Sequence, residues 1–136
     1  MPKYLIDASV MLGLSNIRDT HHEKCKEFFD DQPSELLYFS LHSLFEIHAA
    51  RARRIRGKNY VGLAGNYNYP NVKFIPIDWN FYKECKRRRL FDLFDRLKGM
   101  DLIYACLAKI RNCKLVTCDN HFDAYADKID VLKLTE

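Results

Sequence analysis

The sequence predicts an α/β domain, with a central, mostly parallel sheet of about five strands and helices on both faces. Three observations carry this reading. Short apolar runs alternate with segments of helical periodicity along most of the chain, the pattern of a sheet covered on both sides. Glycine and proline breakers punctuate the alternation. Acidic residues stand where an apolar run ends or a helical pattern starts, at the rim of an open α/β sheet where ligands usually bind. At 136 residues the chain fits one domain, 1–136, long enough to bury roughly two-thirds of its unfolded surface.

Lys3 to Asp7 reads as a short buried strand and Ala8 to Leu14 as the helix that follows it. A second helix spans about Thr20 to Asp30, where Cys25, Phe28 and Phe29 recur at helical spacing and Glu23, Lys24, Lys26 and Glu27 face outward. After Gln32-Pro33-Ser34, the run Leu36-Leu37-Tyr38-Phe39 is a strand. Ser40 to Arg56 then takes helical periodicity through Leu44, Ile47 and Ala50, ending in Arg51, Arg53, Arg54 and Arg56. Part of that basic tail suits the negative end of a helix dipole. Gly57 to Asn71 carries three glycines, four asparagines, three tyrosines and Pro70, and predicts an irregular connection.

Val72 to Asp78 is the third strand, with Pro76 marking it as an edge strand that tolerates a missing amide donor. Trp79 to Leu90 is a helix, continued or kinked into Phe91 to Leu97. Gly99 breaks it before a helix over about Asp101 to Arg111. Lys114 to Thr117 is the fourth strand, and a connection over Asp119 to Asp130 leads to a last strand, Val131 to Leu134. Right-handed crossovers bring the C-terminal strand ends to one rim, so Asp7 and Asp119 are expected there together.

Composition excludes several classes. The apolar runs fall far short of the ~20 residues that cross a bilayer, so no membrane association is expected. The first residues run straight into a strand and show no export signal. Five cysteines, an odd number without a Cys-x-x-Cys pair, predict neither a disulfide framework nor a zinc knuckle, but buried thiols in a reducing cytoplasm. The histidines offer no zinc-finger spacing. Net charge is +4, from 22 Lys and Arg against 18 Asp and Glu. If four of the acids gather in one pocket, the remaining surface is more basic still and suits a polyanion.

Those four are Asp7, Glu46, Asp101 and Asp119. Each has a local alternative: Asp7 as a helix N-cap, Glu46 as the far half of a Ser43-x-x-Glu46 capping box, Asp101 as a dipole-favoured acid, Asp119 as a turn residue. A Ser40 N-cap would instead leave Glu46 in the second turn with no cap to serve. Gathered carboxylates repel, and a hard divalent cation with oxygen ligands would relieve them. Ser9, Thr117 and Asp123 are candidates to support the site. Arg51, Arg53, Arg54, Arg87 and Arg88 are candidate RNA contacts, beside the alternative of solvated helix faces. Tyr60, Tyr67 and Tyr69 could stack bases.

Leu5-Ile6-Asp7-Ala8-Ser9, Phe45-Glu46, Asp101-Leu102-Ile103-Tyr104-Ala105 and Leu115-Val116-Thr117-Cys118-Asp119 together resemble the PIN domain, and within it the VapC-type toxin ribonucleases. The resemblance covers nearly the whole chain in order and spacing. It implies an endoribonuclease dependent on Mg²⁺ or Mn²⁺, with Asp7, Asp101 and Asp119 as metal ligands and Glu46 ligating or orienting water. It also implies a small antitoxin partner, and a homodimer is expected. The competing function is a catalytically weak RNA-binding or RNA-processing module of the same fold, and metal-dependent turnover separates the two.

Overall fold

The computed structural model describes residues 3–31, 36–54 and 72–135. Along them run β1 (Lys3–Ile6), α1 (Ala8–Ser15), α2 (His22–Asp31), β2 (Leu36–Ser40), α3 (Leu41–Arg54), β3 (Val72–Ile75), α4 (Trp79–Arg87), α5 (Leu90–Leu93), α6 (Gly99–Arg111), β4 (Lys114–Thr117), a 3₁₀ turn (Asp123–Tyr125) and β5 (Val131–Lys133). The segment over 57–71, with Tyr60, Tyr67 and Tyr69, lies outside the described residues, as does Arg56.

The five strands form one sheet in the order β3-β2-β1-β4-β5, and every pairing is parallel. Parallel strands need covered faces, and their side chains alternate between two cores. Leu5 and Leu115 point to one core, with Cys85, Leu90, Phe94, Tyr104, Leu107 and Phe122. Tyr4, Ile6 and Val116 point to the other, with Val10, Met11, Cys25, Phe29, Phe39 and Ile47. Helices α4 to α6 therefore cover one face and α1 to α3 the other.

The first crossovers build outward from β1 to β2 and β3, and the chain then returns to place β4 on the other side of β1. That reversal between β1 and β4 is the topological switch point, where the loops leaving adjacent strands part and open a crevice. Asp7 and Asp119 lie just beyond the C-terminal ends of these two strands. The sheet pairing extends into the crevice, since the Asp7 amide donates to Val116 O at 3.0 Å.

Several element boundaries depart from the sequence reading. β3 ends at Ile75 rather than Asp78, leaving Pro76 just past an edge strand. The helix expected over Trp79 to Leu90 stops at Arg87, because Arg89 turns left-handed at φ 56 before α5 starts. Helix α6 begins at Gly99, whose φ of +52 suits a residue without a Cβ, so Asp101 sits inside its first turn. Asn112, left-handed at φ 53, closes that helix. All five cysteines are buried and free.

Candidate active site at the sheet switch point

Asp7 is 3% exposed and caps α1: its carboxylate accepts the Ser9 amide at 3.3 Å. Two hydroxyls also donate to its Oδ2, Ser9 Oγ at 3.1 Å and Thr117 Oγ1 at 2.6 Å. Each hydroxyl is in turn oriented by an amide from the β4 exit, Cys118 N to Ser9 Oγ at 3.1 Å and Asp119 N to Thr117 Oγ1 at 3.0 Å. The N-cap reading of Asp7 holds, and the capping carboxylate also lines a cleft. Ser9 and Thr117 clamp its carboxylate between the ends of β1 and β4.

Glu46 lies in the second turn of α3, which begins at Leu41 just after Ser40. Ser43 is not the cap of a capping box: its hydroxyl is buried against Tyr104 Oη at 2.7 Å. Tyr104, fully buried in α6, donates to Glu46 Oε1 at 2.9 Å and accepts the Ala8 amide at 3.0 Å. One phenol therefore ties α1, α3 and α6 together behind the carboxylates. His42, one turn before Glu46 and 3.6 Å from it, is held neutral because burial lowers its pKa to about 4.

Asp7, Glu46 and Asp119 line one open cleft of about 740 Å³, with Ser9, Asp19, His21, Phe45, Met100 and Cys118 among its walls. Burial is the first cause of their unusual acidity. It lifts the Asp7 carboxyl to about 7 against the pull of Thr117, with Asp119 adding repulsion. Glu46 and Asp119 also shift upward, first by burial and then by carboxylate repulsion that includes Asp101; Tyr104 opposes the rise at Glu46 and His121 at Asp119. Three acids that resist ionisation side by side form a site with a deficit of positive charge.

Asp101 stands at the margin rather than on the wall of this cleft. Its carboxylate bonds His121 Nδ1 at 2.8 Å and lines a shallower depression with Arg96, Leu97 and Lys98. It remains close enough to repel Glu46 and Asp119. Asp123 does not join the acids: Lys133 Nζ holds it at 3.0 Å, and it is absent from the cleft wall. Among the described residues no three His, Cys, Asp or Glu side chains are already set in metal-binding geometry. The donor chemistry, hard oxygens around a cleft short of positive charge, still fits a divalent cation.

The basic residues fall elsewhere. Arg87 and Arg88 both grip Glu84, at 2.5 and 2.7 Å, at the end of α4. Arg88 shares a depression with Asn112, Cys113 and Asp130, which precede β4 and β5, so it sits at the opposite rim from the acids. Arg51, Arg53 and Arg54 belong to the last turns of α3, and their side chains lie outside the described residues. Sequence reasoning missed Tyr104, Ser43, Asp19, Phe45 and Met100 as parts of the site. Nor does it place His21 in the cleft or foresee that the exposed His121 bonds Asp101.

Replacing Thr117 by valine removes a donor to Asp7 and the acceptor for the Asp119 amide while preserving shape. The expected cost is about 1–3 kcal/mol of stability. The Asp7 pKa should rise further, which carboxyl NMR titration reads directly.

A match to the PIN domain extends over residues 4–128, and the chain belongs to that family. VapC20 of Mycobacterium tuberculosis, described as a sarcin-ricin loop cleaving toxin, superposes with a TM-score of 0.71 at 18% identity, covering 90% of this chain and 94% of that one. VapBC2 of Rickettsia felis, solved on a DNA fragment from its promoter, gives 0.67 at 14% identity, with 96% and 98% covered. PAE2754 of Pyrobaculum aerophilum gives 0.57 at 20% identity, with 96% and 90% covered. A search of curated proteins finds no match. Among the described residues, no helix is long and apolar enough to cross a membrane.

Proposed function

We propose that the protein is a divalent-metal-dependent endoribonuclease of the VapC type, the toxin of a toxin–antitoxin pair. The observation that carries the reading is the cleft at the switch point, where Asp7, Glu46 and Asp119 converge with raised pKa values and Asp101 stands at the edge. Asp7, Asp101 and Asp119 would hold Mg²⁺ or Mn²⁺ directly or through water, the cation supplying a water of lowered pKa and positive charge for the scissile phosphate. Each residue then has a task that its surroundings support. Ser9 and Thr117 fix the Asp7 carboxylate, so its lone pairs face the cleft in one orientation. Glu46, steered by Tyr104, orients the attacking water and accepts its proton. His121 holds one Asp101 oxygen, so the other would be the one offered to the cation.

Water adds to phosphorus and the bond to the 3′ oxygen breaks, leaving a 3′-hydroxyl and a 5′-phosphate. Phe45, 74% exposed, and Met100, 38% exposed, put an apolar lip on the acidic cleft. Such a lip suits an antitoxin segment that offers Arg to the acids and apolar side chains to the lip. A homodimer and a cytoplasmic location complete the proposal. The test is cleavage of a structured RNA pool with Mg²⁺, Mn²⁺ or EDTA. Metal-dependent cuts with 5′-phosphate ends are expected; uncut RNA under every condition would overturn the assignment.

A further inference from the structure

One exposed surface has no part in the acidic cleft. Helix α4 presents Trp79, Tyr82, Lys83 and Lys86 to solvent at the spacing i, i+3, i+4, i+7, a single face about 10 Å long. Its rings form a ladder. Phe91 packs on the core beneath, Tyr82 tilts on it at 5.7 Å, and Trp79 stacks on Tyr82 at 5.1 Å with an interplanar angle of 20°. Trp79 nonetheless remains 68% exposed, so the ladder ends on an indole open to solvent.

Lys83 and Lys86 stand beside it, exposed on the same face. Among the described residues Lys83 and Lys86 form no ion pair, whereas Arg87 and Arg88 on the neighbouring face are both held by Glu84. Asp78, just before the helix, is occupied in capping it through the Phe81 amide at 2.9 Å. Unpaired lysines are poor material for the centre of a protein interface, where lysine is depleted. Aromatic faces interleaved with lysine suit single-stranded nucleic acid, since every base has a stacking face and every link carries a phosphate.

We infer that this face of α4 is a stacking platform for single-stranded RNA, with a base continuing the ladder on Trp79 and Lys83 and Lys86 taking the adjoining phosphates. Trp79 follows β3, whose C-terminal end lies on the same rim of the sheet as Asp7 and Asp119, so a strand held here belongs to the substrate flanking the cleft. The inference rests on the nuclease reading for its choice of RNA. Its geometry is independent of the acids.

Trp79 is the single tryptophan of the chain, so its emission reports the platform directly. The experiment titrates the full chain in EDTA with a labelled single-stranded RNA of about a dozen mixed nucleotides, following indole emission and label anisotropy together. Saturable quenching is expected in step with the anisotropy. A duplex of the same length and inorganic polyphosphate should leave the emission unchanged. Trp79→Ala should weaken binding about tenfold, Trp79→Phe should retain most of it, and Lys83→Gln with Lys86→Gln should flatten the salt dependence.

Binding with silent Trp79 emission, or equal affinity in Trp79→Ala, would overturn the platform, as would no binding at all. So would a Trp79→Ala effect confined to self-association in sedimentation, which would make the face a protein interface. Cleavage separates the two readings. With Mg²⁺ present, Trp79→Ala should raise KM at unchanged kcat, and RNA that is cut while Trp79 plays no part contradicts only the platform.

Discussion

Asp7→Asn is expected to abolish RNA cleavage, by on the order of 10³-fold or more, about 4 kcal/mol of transition-state stabilisation. The same substitution should stabilise the metal-free protein. Both effects have one origin, a carboxylate that folding buries at 3% exposure beside Asp119 and whose pKa it raises to about 7. The folded state holds the Asp7 proton more tightly than the unfolded chain, whose carboxyl titrates near 3.8. Between these values the native state binds more protons, so stability falls as pH rises through this window and is lowest above 7. Asparagine removes that penalty. The gain at pH 8 should be about 1–3 kcal/mol, less than the full pKa shift implies, because the amide must rearrange against two hydroxyl donors. At pH 4 the gain should vanish. Thermal melting in EDTA at the two pH values checks it, and equal shifts at both would show that the carboxylate carries no burden of charge.

Tyr104→Phe is the second large effect, and it acts through geometry rather than charge. The phenol has one proton, and donating it to Glu46 leaves its oxygen to accept from both Ala8 N and Ser43 Oγ. Phenylalanine fills the same volume and strands three groups behind the cleft. Ser43 can turn to a carbonyl of its own helix, but the Ala8 amide, at the start of α1 beside Asp7, cannot. A loss of about 2–3 kcal/mol is expected. Glu46 also loses the bond that lowers its pKa, so its carboxylate ionises at higher pH than in the wild type. The acid limb of the cleavage rate should therefore move to higher pH, with metal binding less affected than turnover. A variant that loses stability but keeps its pH profile would leave Tyr104 a structural residue alone.

Much of this arrangement was legible from the chain. Asp7 and Asp119 each follow a run of apolar residues, and alternation of strand and helix is enough to place such residues on one rim. Glu46 was ambiguous because a glutamate three residues after Ser43 is locally a capping box; the helix start at Leu41 and the Tyr104 bond remove that alternative. Asp101 was read as an equal member, yet His121 holds it at the margin, a contact between a helix and a loop twenty residues later that no local pattern encodes. Tyr104 and Ser43 were hidden for a related reason. Both sit within helical periodicity, where a buried tyrosine looks like core, and their polar work depends on which helices meet. Arg87 and Arg88 misled because charge was counted without direction: a helix leaving the acidic rim delivers its last turn to the other one.

The central claim is that the cleft binds a divalent cation and that Asp7 must lose its proton to receive one. The most direct measurement is calorimetric titration of the wild type with Mn²⁺ at pH 6 and pH 8, in buffers of different ionisation enthalpy. Saturable binding is predicted, roughly tenfold tighter at pH 8, with proton release at pH 6 that Asp7→Asn reduces. Absence of binding at both pH values, or binding that ignores pH and the Asp7 substitution, would contradict it.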